Sequence, residues 1–215
     1  MHRALGALRR ADLVDQGGEG RYQLSFGFLR LAFAYYDKLD EVARLRPALA
    51  ALAEAFEETA HYAVLQGGEV MYVGKVQAAN ARIQMSSVVG GRNPAHCTGV
   101  GKAMLAYHLS DLRAVVEYVD RHGPLERRTA ATLVSAKGLA ADLAKTRERG
   151  FAIDNEESEA GINCLAFPLF LTGRSTPDGA ISITALAQRY PTDKLSALAG
   201  EAQAIVIEHL GGVLP

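Results

Sequence analysis

Between Gly150 and Ala187 the chain reads GFAIDNEESEAGINCLAFPLFLTGRSTPDGAISITALA. Two apolar runs, Ile162–Leu171 and Ala180–Ala187, are joined there by the turn-rich TGRSTPDG. Runs of this kind separated by Gly, Pro, Asp and Ser predict a β-hairpin whose strands are largely buried. Four polar side chains interrupt the apolar pattern: Asp154, Cys164, Ser182 and Thr184. Ser182 and Thr184 are two residues apart, so both point to one face of the sheet. Polar groups placed this way either satisfy neighbours in a core or line a cavity that binds something.

The rest of the composition bounds that choice. A chain of 215 residues holds one ample domain, or one domain and a small appendage. Hydrophobic residues make up 49% and charged residues 22%, ordinary for a globular protein. A net charge of −1 gives no global field to hold nucleic acid, so any basic surface must be local. No apolar run reaches the length of a membrane span and no signal-peptide core opens the chain. Cys97 and Cys164 fit reduced thiols better than a disulfide framework. These features predict a cytoplasmic protein with no membrane partner.

The first 25 residues predict a small module. Met1–Ala11 has helical spacing, with Ala4, Leu5 and Leu8 on one side. A strand, Leu13–Asp15, the turn GGEG and a second strand, Arg21–Ser25, follow. A helix followed by a small hairpin is the second half of a winged helix-turn-helix, in which basic residues of helix and wing hold phosphates. On that reading His2, Arg3, Arg9, Arg10 and Arg21 face DNA. The same residues also fit a plain N-terminal helix and hairpin. Next, Phe28, Leu31, Ala32, Tyr35, Leu39 and Val42 form one apolar stripe, predicting a connector helix over 26–46 that packs on a second copy of the chain or on its own domain. Pro47 suits the first turn of a further helix, which buries Leu49, Leu52, Ala53 and Phe56.

From Ala60 the pattern turns to strands. His61–Gln66 and Glu69–Val76 flank Gly67-Gly68, a hairpin signal. Arg82–Val89 is a further strand candidate, ending in the loop GGRNP. Helices are predicted over Gly99–His108, from a Ser110 cap to Val119, over Ser135–Arg149 with a stop at Gly150, and over Thr192–Leu210. Strands in hairpins at both ends with helices between them make an α+β domain with an antiparallel sheet over 47–215.

The segment His96–Leu105, HCTGVGKAML, fails both phosphate motifs. A Walker A loop needs Gly five residues before its Gly-Lys pair and Ser or Thr after the Lys, and here those positions are His96 and Ala103. Gly99 and Gly101 begin a G-x-G, but Met104 stands at the third glycine. What survives is a glycine-rich helix entry. Its N–H groups at Gly99, Val100 and Gly101 offer a seat for a carboxylate, or the glycines simply let helix and strand approach. Catalytic readings are weaker. His96 and Cys97 are sequence neighbours that point apart on an extended segment. No GxSxG, HExxH or CxxC occurs, and Glu156, Glu157 and Glu159 read as a solvated loop. The chain is read as a non-enzyme that needs no cofactor or metal.

Taken together, the motifs resemble the IclR-type bacterial transcriptional regulators. HRALGALRRADLVDQGGEGRYQLSFGFLRLA is similar to that family's recognition helix, wing and linker start. NPAHCTGVGKAMLA resembles its helix-entry signature. RGFAIDNEESEAGINCLAFPLF followed by GAISITA resembles its C-terminal signature, with Asp and Cys ten residues apart. The resemblance implies homodimers or homotetramers, operator DNA as a partner and a GAF-like effector-binding domain. It implies an effector pocket at Gly99, Val100, Asp154, Cys164, Ser182 and Thr184. Backbone donors at Gly99 and Val100 with the hydroxyls of Ser182 and Thr184 suit the carboxylate of a small organic or aromatic acid. Asp154 would then sit at the other end, accepting from a hydroxyl or a water. Family members often carry Ser where Thr184 stands, and the extra methyl narrows the pocket. Cys164, among apolar residues, stays a protonated thiol.

The front departs from the family's pattern. A winged helix-turn-helix needs two more helices before the recognition helix, on the order of 25 residues. The sequence therefore predicts a truncated or misassigned start, and a chain that binds its effector and oligomerises but binds DNA poorly. Beside a DNA-binding regulator stands the alternative of a stand-alone small-molecule-binding module, and a weaker one of an enzyme using the same pocket.

Overall fold

A computed structural model describes residues 2–36, 40–80 and 87–215. The chain divides into two compact units, Met1–Arg44 and Leu45–Pro215. In the first, α1 (His2–Arg10) leads into a two-stranded ladder of β1 (Val14–Gln16) and β2 (Tyr22–Leu24), followed by α2 (Phe26–Tyr36). The joint between ladder and α2 is built by Ser25. Its hydroxyl donates to the Asp12 carbonyl and accepts from the Phe28 N–H at 3.2 Å, capping the helix. A side chain at Gly27 would place its Cβ 2.1 Å from that same carbonyl, so only glycine fits. The predicted helix and hairpin are both present, with strand ends shifted by a residue. On α2, Phe28, Leu31 and Tyr35 of the apolar stripe are exposed in the single chain, as is Phe26 at 87%. Leu39 lies outside the described residues.

Pro47 does not start a helix. It sits inside α3 (Asp40–Phe56), where it removes one N–H bond and crowds the carbonyl one turn back. The helix persists because Leu45, Leu49, Leu52 and Phe56 are buried along one stripe.

The second unit is an antiparallel sheet of six strands: β3 (Thr59–Gln66), β4 (Glu69–Gln77), β5 (Arg92–Pro94), β6 (Ala152–Asn155), β7 (Ile162–Leu169) and β8 (Gly179–Leu186), in the order β5-β4-β3-β8-β7-β6. The helices are α4 (Gly99–His108), α5 (Leu112–His122), α6 (Ala136–Arg149), α7 (Thr192–Ala197) and α8 (Ala199–Leu210). This is the predicted α+β class. Both hairpins form as read.

Four local expectations need correction. Arg92–Pro94, read as loop, pairs with Glu69–Met71; as an edge strand it tolerates Pro94. Of the strand expected over Arg82–Val89, residues 82–86 lie outside the described residues and 87–89 form no strand. Asp111, not Ser110, caps α5, accepting from the Ala114 N–H at 2.8 Å. The helix expected over Thr192–Leu210 is two, broken at Leu198, which turns back to the Lys194 and Ser196 carbonyls.

Side-chain size alternates along the sheet and decides what each face packs against. Ala152, Ala166, Ala180 and Ala63 line one face with the polar residues. Leu165, Phe167, Leu169, Ile181 and Ile183 fill the other, and all of these are buried. The small face admits α4 close to the sheet, with Val115, Tyr118, Leu139 and Leu143 of α5 and α6 in the same core cluster. The large face meets α3, where Leu49 lies against Gly74. Alternating strand residues point to opposite faces, so one helix is seated by small residues and the other core is filled by large ones.

Candidate functional site

The register places the polar residues in two adjacent rows on the small face. Asp154 pairs with Cys164, Cys164 with Thr184, Ala166 with Ser182, and Ser182 with His61. The N-terminus of α4 ends over these rows. A Cβ on Gly99 would lie 2.8 Å from Cys164 Sγ and 3.4 Å from Ala166 Cβ, and one on Gly101 2.1 Å from the Ala95 carbonyl. The glycines are therefore spatial requirements, and the close approach they allow brings the helix N–H groups to the sheet. Thr98 caps the helix: its hydroxyl accepts from Gly101 N–H at 3.2 Å, while its carbonyl takes the Lys102 N–H at 2.9 Å. Gly99 and Val100 hold the first two helical N–H groups, which have no intrahelical acceptor, at the positive end of the helix dipole.

These groups open on a cavity of about 270 Å³. All six sequence-predicted pocket residues line it: Gly99, Val100, Asp154, Cys164, Ser182 and Thr184. Sequence reasoning missed His61, Tyr72, Ser87, Arg92 and Asn93, which also line it, and Glu159, read as a solvated loop residue, lies in the same wall. The His61 and Tyr72 rings meet at a tilt of 55°, 5.2 Å between centroids, and Asn93 Nδ2 donates to the Tyr72 hydroxyl at 3.4 Å. The segment over the cavity is held on β4, with Gly90 N–H bonded to the Tyr72 carbonyl at 2.7 Å and Lys75 Nζ to the Ser87 carbonyl at 2.6 Å.

Burial sets the charge states. Asp154 is 4% exposed. Burial raises its pKa to about 7, against the lowering effects of Lys102 and of N–H bonds from Glu157 and Ser158. Those bonds run to Oδ1 at 2.8 and 3.4 Å. Burial and the Asp154 charge raise the Cys164 thiol to about 12, so it is a neutral wall and not a nucleophile. Beneath the cavity, Lys102 is fully buried and bonds Glu157 and, at 2.9 Å, Asp142. Burial alone would lower its pKa; the two carboxylates outweigh that and raise it.

His96 and Cys97 form no catalytic pair. His96 Nε2 lies 3.0 Å from the Glu126 carbonyl and Cys97 Sγ 3.6 Å from the Pro94 carbonyl. Glu157, read as a solvated loop residue, is instead buried in the Lys102 cluster. In the first unit, Arg3, Arg9, Arg10 and Arg21 are exposed, with Arg9 donating to Gln16 at 3.0 Å. The His2 side chain lies outside the described set. No described helix is long and apolar enough to cross a membrane.

Residues 33–208 match the family model described as bacterial transcriptional regulator IclR C-terminal. The chain is 35% identical over 198 residues to the transcriptional repressor IclR of Escherichia coli, covering 91% of this chain and 70% of that one. Its fold is similar to the crystal structure of the Thermotoga maritima IclR, with a TM-score of 0.74 and 25% identity over 98% of this chain and 84% of that one. It is also similar, with a TM-score of 0.75 and 20% identity over 97% of this chain and 84% of the other, to an IclR homologue from Microbacterium hydrocarbonoxydans solved with 4-hydroxybenzoate.

Proposed function

The chain belongs to the IclR family of bacterial transcriptional regulators, and we propose that its Leu45–Pro215 unit is a sensor for a small hydroxylated organic acid. One observation carries the reading. Two free N–H groups at the start of α4 meet Ser182, Thr184, Cys164 and Asp154 around a single cavity. The donors at Gly99 and Val100, with the Ser182 hydroxyl, take the carboxylate. Asp154 accepts from a hydroxyl at the other end. Each neutral hydrogen bond contributes about 0.5–1.5 kcal/mol, so His61, Tyr72, Val100 and Ile162 supply the remaining contact area. The relative crystallised with 4-hydroxybenzoate supports an acid of this class, aromatic members included.

The Met1–Arg44 unit is the DNA-facing part of a winged helix-turn-helix, with Arg3, Arg9, Arg10 and Arg21 on phosphates and His2 beside them. The apolar stripe of α2, where Phe28, Leu31 and Tyr35 are exposed, belongs to a homodimer or homotetramer contact. A cytoplasmic location and the lack of any catalytic role follow from the same reading.

Melting curves with 4-hydroxybenzoate, benzoate, lactate and pyruvate test the sensor. A bound acid raises the melting temperature by mass action, and Ser182→Ala and Asp154→Ala reduce the shift. If no acid moves the curve, or both variants respond as the parent does, the pocket assignment is wrong.

A further inference from the structure

His61 stands on β3 opposite Ser182, is 2% exposed, and has a partner at each ring nitrogen. Nε2 is 2.7 Å from Ser87 Oγ and Nδ1 is 3.2 Å from Thr184 Oγ1. Thr184 Oγ1 lies in turn 3.5 Å from Cys164 Sγ. Burial, with the nearby Lys75 charge, pushes the imidazole down to about 3, so the ring is neutral and offers one donor and one acceptor.

The tautomer decides what Thr184 offers the cavity. With the proton on Nδ1, the ring donates to Thr184 Oγ1, Ser87 donates to Nε2, and the Thr184 proton is shared between Cys164 Sγ, 3.5 Å away, and the cavity. With the proton on Nε2, the ring donates to Ser87 and Thr184 donates to Nδ1. With the proton on Nε2, or with the Thr184 hydroxyl turned to Cys164 Sγ, that proton is spent inside the protein and the hydroxyl offers the cavity only a lone pair. In that arrangement Thr184 does not help Ser182 hold a carboxylate. The carboxylate is left to Gly99, Val100 and Ser182, while the row formed by Thr184 and Asp154 calls for a donor.

We propose that His61 is a positioning residue that sets effector specificity: by fixing the direction of the Thr184 hydroxyl, it selects acids bringing a hydrogen-bond donor to that side of the cavity over their oxo or deoxy counterparts. The inference rests on the sensor reading and deepens it. A pocket that hydrogen-bonds a substrate hydroxyl rejects the analogue lacking it, because its own polar groups are then left unpaired.

Calorimetric titration of the full chain with two matched pairs, 4-hydroxybenzoate against 4-fluorobenzoate and lactate against pyruvate, tests it. The parent chain binds the hydroxy member of a pair about fivefold or more tighter, the scale of one hydrogen bond. His61→Phe keeps a ring in place; any contact area it changes is common to both members of a pair, while the ratio between them drops below about twofold. Thr184→Val, which reads the preference even if His61→Phe does not fold, does the same. Adding His61→Phe to Thr184→Val changes nothing further, since the two act as a unit. His61→Gln, with an amide donor and acceptor, recovers part of the preference. Three results overturn the proposal: no preference in the parent, a preference that survives His61→Phe, or equal weakening of both members. If the parent binds none of the four acids, the sensor reading itself falls and this inference with it.

Discussion

A buried carboxyl whose pKa is raised works against folding at high pH. The folded-state value of Asp154, about 7, stands above its ordinary 3.8, so the folded chain holds this proton more tightly than the unfolded one. The stabilising share of this group is complete below about pH 4 and disappears as pH rises through 7. Asp154→Asn keeps an oxygen for the Glu157 and Ser158 N–H groups and removes the titration. Its stability relative to the parent therefore rises between pH 4 and 8, by up to about 1.4 kcal/mol per unit inside that window. Urea unfolding at several pH values reads this, and parallel profiles for the two chains would refute it. Gly99 gives a second test at the same scale. Gly99→Ala drives a methyl against Cys164 Sγ, 2.8 Å away, so melting temperature falls and acid affinity drops about tenfold or more. Cys164→Ala in the same chain removes the obstructing sulfur but leaves Cβ atoms 3.2 and 3.4 Å away, so it recovers only part of the melting temperature. A Gly99→Ala chain as stable as the parent would show that the helix entry is not sterically set.

Among the elements, α4 depends most on charge. Lys102 is enclosed between Glu157 and Asp142. Lys102→Met strands both carboxylates and costs about 3–5 kcal/mol. Lys102→Met with Glu157→Met recovers much of it, because a paired replacement leaves no lone buried charge at that contact. Denaturant midpoints for the single and double variants check the sign of the coupling. Elements with a strong local signature were legible in the sequence: the hairpin across TGRSTPDG, the turn at Gly67-Gly68 and the stop at Gly150. Where tertiary packing overrode the local signal, the reading failed. Pro47 is carried inside α3 by the burial of its leucines, and Arg92–Pro94 becomes a strand only because the edge of β4 is available. The six pocket residues that the family resemblance implied line one cavity; composition and periodicity alone would not have brought Gly99 and Val100 to the hairpin. His61 stayed invisible because a histidine beside an apolar run looks like strand filler until β3 is paired with β8. Its only sequence signal was a titratable side chain in an otherwise buried strand.

For the whole molecule, a net charge of −1 gives no global field for DNA, so the phosphate contacts proposed for the exposed arginines of the first unit have to be local. Each phosphate contact contributes about 0.9 to the slope of log affinity against log salt. Arg3→Ala with Arg10→Ala therefore flattens that slope by about 2 for a fragment of the chain's own upstream DNA. An unchanged slope would place the phosphate contacts elsewhere. The exposed α2 stripe makes its own prediction: Leu31→Lys with Tyr35→Lys, one turn apart on one face, lowers the sedimenting mass. The alternation of the sheet has a longer reach. Residues that line the cavity and residues that hold the large-face core alternate along the same strands and never share a side. A lineage can retune positions 61, 182 and 184 one at a time while Leu165, Phe167, Ile181 and Ile183 keep the fold intact. One scaffold can thus pass from one metabolite to the next without crossing an unfolded ancestor.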